Sequence, residues 1–203
     1  MRCIYGAAGI TALLLLTASV CLGIGLAGRT HSKRWPAFAI QDVHRYVGLL
    51  TGAFIGIHAL AILLDSFVPY SLTQLLVPGT APSRTMAVAA GVVSAELLTA
   101  LAVTNHFRTR LSYAFWRKAH SLNFAVWVLA LGHGIAAGTD SDQRWAVFVY
   151  AGCAAAVAGL LAWRLLAKRA LEAWELSVWP TATAIVTGEL VVALSYGPLG
   201  HHG

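Results

Sequence analysis

Charge is what this sequence has least of. Asp, Glu, Lys and Arg make up 11% of its 203 residues, and only 8 residues are acidic. A soluble domain carries about 25% charged residues, so a water-facing globular fold is excluded. Cysteine is scarce too. Cys3, Cys21 and Cys153 are scattered, with no CxxC pair and no even framework. That excludes a disulfide scaffold and a cysteine-based zinc site. Cys21 and Cys153 fall in apolar runs, where a lone thiol packs as a small hydrophobe. No internal repeat and no low-complexity segment is present.

Apolar residues take the place of the missing charge. They are 58% of the chain, and the mean hydropathy is +0.71. Six stretches are long enough to cross about 30 Å of hydrocarbon, which takes about 20 residues. They cover residues 4–27, 39–64, 86–105, 112–137, 145–167 and 176–195. The expected fold is all-α: an integral membrane six-helix bundle forming a single transmembrane domain over 1–203, with no soluble module. The first run spans 24 residues. A signal-peptide core is about 7–15 residues long, so this run is expected to stay as a helix.

The basic residues set the topology. Arg29, Lys33, Arg34 and Arg45 lie at the first connection, Arg108, Arg110, Arg117 and Lys118 at the third, and Arg164, Lys168 and Arg169 at the fifth. Only Arg2, Arg84 and Arg144 fall on the other side. The positive-inside rule places the odd-numbered connections in the cytoplasm and both termini outside. The net charge of +6 then reads as topology and as anchoring to anionic membrane lipid. It does not point to nucleic acid. The expected location is the cell membrane, with several passes.

Within these apolar segments lie four histidines. His44 and His58 are 14 residues apart in the second segment, and His120 and His133 are 13 apart in the fourth. Imidazole is costly in lipid and usually marks function there. It is also a standard axial ligand of haem iron. The topology sorts the four into an inner layer, His44 with His120, and an outer layer, His58 with His133. At 1.5 Å per residue the layers are about 20 Å apart. Two haems clamped between the second and fourth segments would form a relay across the membrane. No c-type attachment motif occurs, so the haems would be non-covalent.

Helix geometry treats the two spacings differently. At about 100° per residue, 14 steps return His58 to within about 40° of His44. Thirteen steps leave His133 about 140° away from His120. The fourth segment therefore needs a kink, a tightened turn or a different ring approach. Gly132 and Gly134, beside His133, are candidates for that adjustment.

Other residues gather around these layers. Gly48, Gly52 and Gly56 recur near the histidine face, either for close helix packing or to make room for a flat porphyrin. Phe54, Phe124 and Trp127 lie between the layers, as core or against haem. Arg45 and Arg117 are candidate propionate contacts for the inner haem, with Arg34 in reach. Arg84, Arg144, Tyr70 and Gln74 are the outer candidates. Glu96 and Glu189 fall mid-segment, as proton carriers for quinone chemistry or as protonated packing residues. His31 and His106 fall in basic connections, and His201 and His202 in the tail.

The stretch 40–138 resembles the ferric reductase-like transmembrane domain. The family includes ferric reductases, NADPH oxidases and the haem-binding membrane subunit of a methionine sulfoxide reductase system. The resemblance rests on His44-Arg45-Tyr46-Val47-Gly48-Leu49-Leu50 with His58 at +14. It continues through Arg110-Leu111-Ser112-Tyr113, Trp116 and His120, with His133 at +13. The family also pairs a 14-residue with a 13-residue spacing. It implies two b-type haems ligated by His44, His120, His58 and His133, and electron transfer across the membrane. The flavin- and nicotinamide-binding domain of ferric reductases and NADPH oxidases has no counterpart after the bundle. No FAD or NADP site is therefore expected in this chain. The expected role is an oxidoreductase membrane subunit that depends on a separate donor (a reductase, a flavoprotein or quinol) and a separate acceptor. Two other classes stay open: a transporter or assembly subunit whose histidines bind metal or pack, and a quinol-oxidising cytochrome b of another family. Four histidines in matched layers exceed what packing needs.

Overall fold

The computed structural model describes residues 2–28, 35–66 and 69–169. Among these, every regular element is helical. The elements are α1 (Arg2–Ala27), α2 (Ala37–Leu63), α3 (Leu72–Leu76), α4 (Thr85–His106), a 3₁₀ turn (Arg108–Arg110), α5 (Tyr113–Ser121), α6 (Asn123–Ala137) and α7 (Arg144–Arg169). Five spans are long and apolar enough to cross a membrane, with α5 and α6 together making one, Tyr113–Ala137. They match the first five expected segments to within two residues at each end. The expected sixth, 176–195, lies outside the described residues.

Local chemistry sets the helix ends. Pro36 is extended at φ −69° and ψ 154°, and its carbonyl accepts from Ala39 and Ile40 to open α2. Ser71 and Gln74 cap each other's backbone at the start of α3, a capping box. Arg84 sits in the left-handed region at φ 47° and opens α4. Its guanidinium donates to the carbonyls of Ala136 and Gly138, at the C-terminal end of α6. Carbonyls there have no partner within their own helix.

Helix α1 lies at the centre. It packs along α2 and also against α6, while α4 packs on α6 and on α5. Ala8, Leu13, Leu16, Val20 and Ile24 of α1 are buried. Ala146, Tyr150 and Cys153 of α7 close over Leu13 together with Ala130 and Leu131. Two polar links tie the centre. The Trp127 indole donates to the Thr17 hydroxyl at 2.9 Å, and Ser94 donates to the Val126 carbonyl at 3.0 Å. Large apolar side chains point outward instead, as Leu49 (73% exposed) and Phe148 (76%) show. In lipid that exposure is favourable, because the backbone satisfies itself within each helix. By contacts the chain divides into two compact units, 1–160 and 161–203, and the candidate site belongs wholly to the first.

Candidate functional site

Helices α2 and α6 are not packed closely on one another. Across the space between α2 and the α5–α6 span the four histidines face each other. The His44 and His120 ring centres are 6.0 Å apart with planes at 73°, and those of His58 and His133 are 6.2 Å apart at 81°. A metal–imidazole bond is about 2 Å, so two imidazoles sharing one metal ion hold their ring centres about 6 Å apart. Both pairs have that separation.

Three of the rings are oriented by main-chain carbonyls of neighbouring helices. His44 Nδ1 lies 3.0 Å from the Ser19 carbonyl and 3.2 Å from its hydroxyl. His58 Nδ1 lies 2.7 Å from the Tyr5 carbonyl, and His133 Nδ1 lies 2.8 Å from the Ala87 carbonyl. A carbonyl can only accept, so each of these Nδ1 atoms carries the proton. The lone pair is then on Nε2, as a ligand to a metal requires. His120 differs. Its ring makes no hydrogen bond among the described residues and instead stacks on Trp116, with centres 5.1 Å apart and planes at 21°. The indole Nε1 of Trp116 is buried without a partner among the described residues.

The family model of the ferric reductase-like transmembrane component matches residues 8–131. This chain belongs to that family. No curated protein and no solved structure matches it. The family region begins inside α1, well before residue 40, and ends two residues short of His133. The inclusion of α1 makes structural sense, since Ser19 within the matched region holds one imidazole, and Tyr5 on the same helix, just before it, holds another.

In this ferric reductase-like core the span is interrupted at Leu122, not at Gly132 or Gly134, and one tightened step there closes about 20° of the gap of about 140°. Here α5 ends at Ser121, α6 starts at Asn123, and the Leu122 amide donates back to Ala119, three residues earlier. A 3₁₀ turn advances about 120° per residue against 100° in an α-helix, so tightening moves His133 toward the His120 face. The Asn123 side chain donates to the His120 carbonyl at 2.8 Å and satisfies a group near the break. Gly132 and Gly134 both lie within continuous α6. A Cβ at Gly134 would press on the Tyr150 ring at 3.1 Å, so that glycine serves the packing of α7.

Of the two roles open to Gly48, Gly52 and Gly56, close helix packing is not met. A Cβ at any of them would meet no atom within 4 Å. The same holds for Gly132 on the facing span. All four glycines are exposed. Arg45 is exposed and 3.9 Å from Asp42. Arg117 lies over the Tyr113 ring at 5.9 Å. Neither is committed to a buried pair. At the opposite end Arg84 and Gln74 are engaged in helix caps. Trp127 is buried and bonded to Thr17, whereas Phe124 is 38% exposed. Glu96 is exposed on α4 and lines an apolar crevice with Leu60, Leu63, Leu72 and Leu76.

Sequence reading missed the partners of the imidazoles. The signal was present: Tyr5 and Ser19 are 14 residues apart, as His44 and His58 are.

Proposed function

We propose that this protein is a di-haem b-type electron carrier of the membrane, with one haem between His44 and His120 and the other between His58 and His133. One observation supports the reading above all: two imidazole pairs, both at the separation of axial ligands sharing one metal ion. The rest of the chemistry agrees. Among the described residues no cluster of three or more His, Cys, Asp or Glu could hold a metal ion. Two imidazoles are too few for a tetrahedral zinc site, which takes four ligands or three and water. They suffice where a porphyrin supplies the other donors. The open space at Gly48, one turn from His44 on the same side of α2, suits a flat ring laid against the backbone. The orphan N–H of Trp116 beside His120 suits an anionic propionate, as do Arg45 and Arg117.

The haem supplies a one-electron iron couple when bound. The protein's part is to hold Nε2 of each histidine toward the iron, to exclude water with the apolar faces of α2, α4 and α6, and to keep the layers about 20 Å apart along the axis. Electrons enter from a separate donor, either a cytoplasmic reductase, a flavoprotein or membrane quinol, and leave to a separate acceptor. The basic end, with Arg45, Arg108, Arg110, Arg117 and Lys118, faces the cytoplasm by the positive-inside rule.

Reduced-minus-oxidised spectra of the purified chain test the reading. The expected result is a b-type α-band and two haems per chain by pyridine haemochrome. Replacing His58 or His133 by Ala is expected to remove one haem and spare the other. A chain with no haem, or a single substitution that removes both, refutes the layered assignment.

A further inference from the structure

We infer that Gly9 and Gly91 are positioning residues, each opening a helix carbonyl as a seat for one ligand imidazole. The inference rests on the di-haem reading. In an α-helix the carbonyl of residue i bonds the amide of i+4, and a second lone pair remains. The side chain at i+4 lies over that lone pair, which is why Ser and Thr reach the i−4 carbonyl from there. Glycine at i+4 leaves it open.

The three seats follow this rule. His58 bonds the Tyr5 carbonyl, and Gly9 is four residues on. His44 bonds the Ser19 carbonyl, and Gly23 is four residues on. His133 bonds the Ala87 carbonyl, and Gly91 is four residues on. At Gly91 and Gly9 the ring fills the place of the absent side chain, whereas at Gly23 a Cβ would stand at ordinary van der Waals distance from the ring. A Cβ on Gly91 would fall 2.6 Å from His133 Nδ1, one on Gly9 3.0 Å from His58 Nδ1, and one on Gly23 3.6 Å from His44 Cε1. The fourth ligand supplies the contrast. Thirteen residues along α4 from Ala87 is Ala100, and the residue four beyond it is Thr104, not glycine. His120 has no such bond among the described residues, and Trp116 holds it by stacking.

These glycines act on haem only through the histidines, so their effect should be confined to one layer and ordered by overlap. Gly91→Ala, Gly9→Ala and Gly23→Ala in the full chain provide the test. Gly152→Ala is the control, since a Cβ there meets nothing within 4 Å. Low-temperature EPR of the ferric protein and redox titration resolve the two haems, with His44→Ala and His58→Ala identifying which signal is which. Gly91→Ala is expected to shift or abolish the His58–His133 signal while the other stays. Gly9→Ala should disturb the same signal less, and Gly23→Ala should leave both near wild type. Wild-type signals in Gly91→Ala, or equal disturbance of both layers, overturn the inference while the di-haem reading stands. A wild-type protein without haem overturns both. If Gly91→Ala does not accumulate, the double variant Gly91→Ala/His133→Ala should restore a one-haem protein by removing the clashing ring. Failure to restore it also counts against the seat.

Discussion

At the residue scale the four histidines are not equivalent. An imidazole that donates from Nδ1 to a carbonyl has its tautomer and ring plane fixed, and becomes a more basic ligand. His44, His58 and His133 are held in this way, and His120 is not. Trp116 beside His120 has two features: its face supports the ring, and its N–H has no acceptor among the described residues. Trp116→Phe separates them, keeping an aromatic face and deleting the donor. The expected result is two haems still bound, with the midpoint potential of the His44–His120 haem lowered by tens of millivolts as a propionate loses its neutralising partner. Redox titration reads this directly, and an unchanged potential would show that the indole serves packing alone.

At the scale of elements, α1 does more than fill lipid. It carries the carbonyls for two imidazoles and is pinned to α6 by the Trp127–Thr17 bond between the layers. Thr17 itself donates to the Leu13 carbonyl, so its hydroxyl both donates and accepts. Thr17→Val keeps the shape and strands a buried indole N–H, which costs about 1–3 kcal/mol. The added methyl recovers less than that, at about 0.8 kcal/mol per buried carbon. A lower melting temperature in detergent is expected, and Thr17→Ser should restore most of it. The α5–α6 break is the other decisive element. Its place at Leu122 was not legible, because no Pro or Gly marks it.

At the scale of the whole molecule the di-haem reading proposed above puts the two layers in series. An electron crossing the membrane must visit both, so removing either layer should stop transfer completely. Vesicles holding the chain and trapped ferricyanide, given an impermeant reductant outside, provide the measurement. Wild type is expected to reduce the trapped oxidant. His44→Ala and His58→Ala should each fall to the rate of protein-free vesicles. Residual transfer in either variant would break the series arrangement.

The sequence alone determined the membrane class, five spans to within two residues, and the four histidines with their pairing by depth. Those follow from hydropathy and a constant rise per residue, which are local properties. Tertiary structure decided where α5–α6 breaks, which carbonyls hold which rings, and which helix glycines, Gly9 and Gly91, those rings crowd. It also showed that Gly48, Gly52 and Gly56, open to either role in the sequence, do not serve close helix packing. Such contacts join residues up to 53 positions apart, as in His58 with Tyr5. No local pattern encodes them, because each exists only where one helix meets another.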